Sequence, residues 1–232
     1  MKTIAIDATV VREPLSGVHY VVRAQALSLI ERFAAAEPVV LATDPVIIQA
    51  ARRHDCRCPQ LPWRLRDPFW RVLWQQTSLA RLLHRLNVGR LLALAYTAPL
   101  RCPVPYCLQV HDTIALDHPH FCRRRNRWHM RALLPPSMRG AETILASTQA
   151  VISRVTAYVK KEKRPPLHTV AFGVDEIFLQ DPPAAFGEVE LPVDAEPYVL
   201  FVGTLEPKKG LHSLLTAYAS LRGQVNLVLA GQ

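Results

Sequence analysis

The chain has 232 residues, half of them apolar and a fifth charged, a balance that excludes wholly disordered, collagen-like and coiled-coil chains. Its length corresponds to one large domain or one and a half, enough to bury a core without a disulfide or metal staple. Twenty-eight Lys and Arg against 19 Asp and Glu give a formal net charge of +9; with 22 Arg among them, the excess reflects either anionic partners (membrane phospholipid, nucleic acid or phosphate) or GC-rich coding.

Strand and helix patterns alternate along the chain. Residues 3–6 read as a short buried strand, followed by a loop with Pro14 and Gly17. Val18, Val21, Val22, Leu29 and Phe33 then repeat at helical spacing over residues 18–33. Residues 39–42 form a second strand, and Asp44 with Pro45 starts a helix over 45–53. A longer helix rich in Leu, Trp and Arg covers 68–86. Strands follow at 91–94 and 106–110, and a helix at 123–134 is expected to end before Pro135 and Pro136. A strand at 143–146, a helix over 150–159 capped by Thr148 and a strand at 169–171 complete this part. Short continuous apolar strands between helices indicate a parallel α/β sheet covered on both faces, with function expected in the loops after Ile6, Val110, Ala146 and Ala171.

The composition shifts at Gln180. Residues 181–197 are rich in proline, hold five acids and no basic residue, and read as a linker. A new β-α-β pattern follows, with a strand at 198–202, a loop at 203–210, a helix at 211–221 and a strand at 226–230. The expected organisation is a Rossmann-like domain at 1–180, a linker at 181–197 and the incomplete start of a second Rossmann-like domain at 198–232, since about 35 residues cannot bury a core of their own.

The five cysteines, Cys56, Cys58, Cys102, Cys107 and Cys122, do not follow zinc-site spacing. They read as free thiols of a reducing cytoplasm, and no metal site is expected. Asp7 interrupts the first apolar run and no cleavage-type site follows it, so no signal peptide is expected, and no stretch of 18 apolar residues occurs. Any membrane contact is therefore expected at the surface. Dinucleotide, P-loop, zinc-protease and nucleophile-elbow signatures are absent.

Three loops carry candidate chemistry. Gly17 precedes a helix start, where backbone N–H groups face an anion; an ordinary helix-start glycine is the competing reading. His111 ends an apolar strand, either as a donor to a substrate hydroxyl or phosphate or as a satisfied buried histidine. Gly203 is followed by Lys208 and Lys209 ahead of a helix, where positive charge is unfavourable unless an anion offsets it.

Taken in order, IAIDATVVREPLSGVHYV, LWQQTSLARLL, YTAPLRCPVPYCLQVHDTIALDHPHF, RWHMRALLPPSMRGAETILASTQAVISRVTAYV, VAFGVDEIF and YVLFVGTLEPKKGLHSLLTAYASL resemble the family 4 retaining glycosyltransferases of two-Rossmann-domain (GT-B) architecture. The nearest likeness is to mannosyltransferase-like members of bacterial polysaccharide assembly. The resemblance implies transfer of a hexosyl group, with mannose from GDP-mannose as the first choice, to a lipid-linked or polysaccharide acceptor, with no cofactor beyond the nucleotide-sugar donor. It assigns the donor diphosphate to Gly17, Lys208 and Lys209 and the donor sugar to His111. His19 stands where the family commonly has a second glycine. The family's pair of glutamates that holds ribose and sugar is expected beyond Gln232, so the resemblance describes a chain truncated within its nucleotide domain.

Between Arg57 and Arg139 the chain holds 14 Arg and three acids, a net of +11. Two segments interleave Arg with aromatics: one with Trp63, Arg64 and Arg66, the other with Arg124, Arg127 and Trp128. They suit an acceptor site or an anionic membrane interface on the inner face of the plasma membrane; a solvated helix face with core-facing tryptophans is the alternative. No helix-turn-helix or RNA-recognition pattern accompanies the charge, which argues against a nucleic-acid partner. The competing functional reading is a catalytically inactive, membrane-associated relic that binds acceptor without transferring sugar.

Overall fold

The computed structural model describes residues 3–174, 179–180 and 197–231. The expected linker therefore lies, apart from Pro197, outside the described residues, as do residues 175–178 of the VAFGVDEIF motif. The chain divides into two compact units, Met1–Asp117 with Arg124–Phe172, and His118–Arg123 with Gly173–Gln232.

The first unit is built on a six-stranded sheet, all parallel, in the order β2-β1-β3-β4-β5-β6. Its strands are β1 (Thr3–Asp7), β2 (Val39–Leu41), β3 (Val88–Ala93), β4 (Tyr106–Val110), β5 (Thr143–Ala146) and β6 (Leu167–Thr169). Register pairs Ile6 with Val40 on one side and Leu92 on the other, and Leu108 with Ile144. The helices are α1 (Gly17–Arg32), α2 (Pro45–Arg53), α3 (Pro68–Thr77), α4 (Leu79–Arg85), α5 (Ile114–Asp117), α6 (Arg124–Gly140) and α7 (Gln149–Tyr158). This is the Rossmann-like α/β class that the alternating pattern indicates.

The core follows from the sequence. On α1 the buried stripe is His19, Val22, Ala26 and Ile30, spaced so that one side of the helix meets the sheet. These apolar residues pack with Ile6, Val40 and Ile47. Phe33, expected on that stripe, is 36% exposed. The expected caps are present: Asp44 accepts the Ile47 N–H at 3.1 Å, and Thr148 accepts the Val151 N–H at 3.3 Å.

Several element boundaries differ from expectation: β3 begins at Val88 rather than at residue 91, the helix expected over 211–221 ends at Tyr218, and three further differences have identifiable causes. The helix expected over 68–86 is two, broken at Ser78. The Thr77 hydroxyl donates back to the Leu73 carbonyl at 2.8 Å, a bond that bends helices. Gln76 is meanwhile tied to the Ala98 carbonyl and the Leu100 N–H. The helix expected to stop before Pro135 runs on to Gly140. Its far turn is held from outside: Leu134 and Met138 are fully buried, the Tyr106 hydroxyl donates to the Ser137 carbonyl at 2.7 Å, and the Ser137 hydroxyl accepts the Ala98 N–H. Tertiary anchoring offsets the N–H groups the prolines lack. Finally, β6 lies two residues earlier than expected, because pairing with β5 begins directly after the Pro166 carbonyl accepts the Ile144 N–H.

In the second unit β7 (Tyr198–Val202), α8 (Leu211–Tyr218) and β8 (Asn226–Ala230) form a β-α-β unit with parallel strands, Leu200 opposite Val228. Two of its glycines are required by geometry. Gly210 enters α8 with φ +71°, in the left-handed region. A Cβ on Gly231 would lie 1.8 Å from the Gly203 carbonyl oxygen, so the backbones after the two strands meet too closely for any side chain. The strands are lightly covered: Leu200 is 50% and Val202 72% exposed.

Candidate functional site

In open parallel sheets ligands bind beyond the carboxyl ends of the strands, where the strand order reverses. Here the chain passes from β2 at the sheet edge across β1 to β3, so that place lies between the ends of β1 and β3. It is organised by Asp7, the last residue of β1, only 5% exposed. Its carboxylate accepts from the Thr9 N–H at 3.0 Å, the Thr9 hydroxyl at 2.6 Å and the Gln75 amide at 3.2 Å. The same Gln75 amide donates to the Thr97 carbonyl at 3.0 Å, and its oxygen accepts from the Thr97 hydroxyl at 2.8 Å. One buried network thus joins β1, α3 and the loop after β3.

Positive charge gathers around it. Arg12 follows β1, and Arg71 lies one helical turn before Gln75 on α3. Neither guanidinium has a hydrogen-bond or ion-pair partner among the described residues. Burial is the main cause that lowers the Arg71 pKa, with Asp7 opposing and Arg12 adding to it. Both arginines help keep His19 neutral, after burial as the largest cause, and Arg71 does the same to His129 on α6.

Gly17 is the first residue of α1, and a Cβ built on it meets nothing within 4 Å. The fold itself does not demand a glycine there, and the space beside the helix start is open. His19 does not crowd that space. It is 8% exposed, and its Nδ1 accepts the Ser16 N–H at 3.2 Å, taking the part a Glu or Gln plays in a capping box.

His111, directly after β4, has its Nε2 2.8 Å from the Leu94 carbonyl. A carbonyl only accepts, so Nε2 carries the proton and Nδ1 is left as a free acceptor. Burial is the largest cause that lowers the His111 pKa, against the opposing Leu94 carbonyl and Asp112. The ring sits between Tyr96, centroids 5.2 Å apart, and Phe172 at 5.9 Å. Tyr96 adopts φ +59°, uncommon for an aromatic residue, and donates from its hydroxyl to Asp112 at 2.6 Å. Asp112 in turn accepts the Ile114 N–H at 3.0 Å. The next carboxylate, Asp117, is held well below the usual range, first by Arg154 and then by the hydroxyls of Thr113 and Tyr158.

Lys208 and Lys209 lie in the second unit, in the 3-10 turn Pro207–Lys209 between β7 and α8. They are not equivalent. Lys208 is ion-paired with Glu206 at 2.9 Å, whereas Lys209 has no such partner among the described residues.

The two Arg–aromatic segments, far apart in sequence, are brought side by side: the Arg125 guanidinium lies 4.9 Å over the Phe69 ring. Trp63 and Trp128 are 76% and 75% exposed, so neither is a core residue. Arg64 stacks near Trp63 at 5.9 Å, while Leu65 between Arg64 and Arg66 is the buried anchor of that turn. Arg124 is exposed and Arg127 partly so, both on α6.

Sequence reading missed Gln75, Tyr96, Arg12 and Arg71 and treated Asp7 only as a break in an apolar run. Two signals were present: a carboxylate closing a buried strand, and Arg71 and Gln75 four apart on one helix face. Among the described residues no group of His, Cys, Asp or Glu is placed to hold a metal, and no helix is long and apolar enough to cross a membrane.

No protein-family model matches the chain, and no curated protein sequence matches it. Among solved structures it is similar to Anabaena Alr3699/HepE in complex with UDP and glucose, with TM-score 0.60, 16% identity and coverage of 99% of this chain. The chain spans 60% of that protein's length. A glycosyltransferase from Rickettsia africae ESF-5 gives TM-score 0.49 at 12% identity, covering 99% of this chain and 68% of that one. The chain thus has the α/β fold of the HepE structure.

The geometry of His111 has a direct consequence. An NMR titration should show its imidazole protonating below the usual value of about 6.5, with the neutral ring carrying its proton on Nε2. A midpoint above that value, or the opposite tautomer, contradicts the assigned hydrogen bond.

Proposed function

We propose that this chain forms the acceptor-side domain and the opening of the nucleotide domain of a glycosyltransferase, one that moves a hexosyl group from a nucleotide sugar to a glycan or lipid-linked acceptor. The observation that carries the reading is the cluster of side chains beyond the ends of β1 and β3. Two guanidiniums without a partner among the described residues, Arg12 and Arg71, act on a helix start whose Gly17 leaves open space. The neutral, fixed His111 marks the same sheet edge. The likeness to a fold that holds UDP and glucose in HepE supports a nucleotide-sugar donor.

In such a transfer the bond from the sugar C1 to the diphosphate oxygen breaks, and its electron pair leaves with the diphosphate. The acceptor oxygen bonds to C1, and its proton passes to the departing diphosphate oxygen. Negative charge grows on the leaving group, and preorganised cations and helix N-termini stabilise it without rearranging. The motif resemblance assigns this stabilisation to Lys209 just ahead of α8 and to the backbone N–H groups at Gly17. Lys208 is already neutralised by Glu206. His111 Nδ1 can accept from a donor-sugar hydroxyl. The finer reading, a retaining mannosyl transfer from GDP-mannose in cell-surface polysaccharide synthesis, rests on the motif resemblance, and UDP- and GDP-sugars are therefore both test donors.

Thermal shift with UDP-glucose and GDP-mannose tests the donor. One of them should stabilise the chain, Lys209→Ala should weaken that binding about tenfold, and Lys208→Ala should weaken it by less than about threefold. No stabilisation by any nucleotide sugar contradicts donor binding and favours the inactive, acceptor-binding alternative.

The exposed Trp128, Phe69, Trp70 and Leu73, with the arginines around them, support contact with an anionic membrane, consistent with a peripheral protein at the inner face. Flotation with vesicles should show binding to anionic but not neutral lipid, reduced severalfold by Trp128→Ala. Equal absence from both vesicle types contradicts it.

A further inference from the structure

A cleft of about 330 Å³ opens at the carboxyl end of β2, at the small end of the range of small-molecule sites. Thr43, Ile48, Arg52, Gln60, Trp63 and Arg66 line it. It gathers these side chains from four places: the end of β2, the outer face of α2, the segment that holds Gln60, and the turn Trp63–Arg66.

Two features set it apart from an accidental hollow. Thr43 is 8% exposed, and its buried hydroxyl has no hydrogen-bond partner, although buried hydroxyls in native proteins are nearly always bonded. The neighbouring Asp44 does not serve it, being committed to the Ile47 N–H and to Arg23 at 2.5 Å. The second feature is charge. Arg52 and Arg66 both reach the cleft, and neither has a hydrogen-bond or ion-pair partner among the described residues. No Asp or Glu is in the lining. Two guanidiniums without a carboxylate favour an anion and can grip a carboxylate or phosphate through paired N–H groups. The broad indole of Trp63, 76% exposed, offers a flat apolar surface to the C–H face of a sugar ring. Gln60 and the Thr43 hydroxyl supply the hydrogen bonds that ring hydroxyls need.

We propose that this cleft binds an anionic saccharide unit, a sugar bearing a carboxylate or a phosphate. The room suits one ring and its substituent. This rests on the sugar-transfer reading only for the ligand's role, as part of the acceptor; the binding itself follows from the lining.

The test is a tryptophan-fluorescence titration of the whole chain with glucuronate, glucose 6-phosphate, glucose and inorganic phosphate, with Trp63→Phe identifying the reporting ring. At least one of the two anionic sugars should bind, at least tenfold tighter than glucose and than inorganic phosphate. The preference between them tells carboxylate from phosphate. Arg66→Ala and Thr43→Val should each weaken binding severalfold or more, and Lys209→Ala should leave it unchanged. No binding by either anionic sugar, binding indifferent to Arg66→Ala, or equal binding of inorganic phosphate overturns the proposal. Nucleotide-sugar binding measured on the same sample separates the two ideas. Saccharide binding without any nucleotide effect upholds the cleft and removes only its acceptor role. Nucleotide binding without saccharide binding overturns the cleft alone.

Discussion

The buried carboxylate of Asp7 is the constraint on which the first unit's chemistry depends. Taking a carboxylate out of water costs on the order of several kcal/mol unless its lone pairs are satisfied. Thr9 and Gln75 satisfy them, and Gln75 can do so only if α3 lies against the end of β1 and the loop after β3 presents Thr97. One side chain thereby fixes the relation of a strand, a helix and a loop at the place where the sheet order reverses. Because Arg71 is one turn from Gln75, the same contact sets a guanidinium at that edge. Truncating Gln75 would therefore disturb both the packing and the charge.

The same economy appears at β4. The Leu94 carbonyl that accepts the hydrogen bond from His111 belongs to the loop after β3, and Tyr96, two residues on, meets the ring edge-on and reaches Asp112. The left-handed backbone at Tyr96 is a local cost of order 1–3 kcal/mol, offset by placing an aromatic wall and a hydroxyl beside His111. The result is a histidine fixed in rotation and tautomer, with one nitrogen left free. The second unit is built differently. Its glycines at 210 and 231 meet backbone demands, and its two adjacent lysines lie in a short turn where one is ion-paired and the next has no such partner among the described residues.

Much of the fold was legible because short-range rules decided it. Asp44 with Pro45, and Thr148, mark helix starts that the structure shows. The strands at 106–110, 143–146, 198–202 and 226–230 announce themselves as apolar runs. What was not legible depends on distant partners. Pro135 and Pro136 sit inside α6 because Tyr106 and Ala98 hold Ser137 from other elements. β6 is a half-exposed edge strand, so its pairing with β5 leaves no apolar signature. At the site, Gly17 and His111 stand out by position in their loops. The Lys208–Glu206 pair joins residues close in sequence, yet spacing does not tell which of two adjacent lysines is engaged. The convergence of Arg12, Arg71, His19 and His129 joins three helices and a loop that no local pattern links.

The claim most open to a decisive test is that a nucleotide sugar binds at the carboxyl edges of the strands. Backbone amide shifts of the isotope-labelled chain, mapped during titration with UDP-glucose or GDP-mannose, address it directly. The account predicts perturbations at Gly17, His19 and Asp112 in the first unit and at Gly203, Lys209 and Gly210 in the second, with Val88 and Thr143 at the opposite edge unaffected. Perturbations centred on Val88 and Thr143, or none at saturating donor, would contradict it.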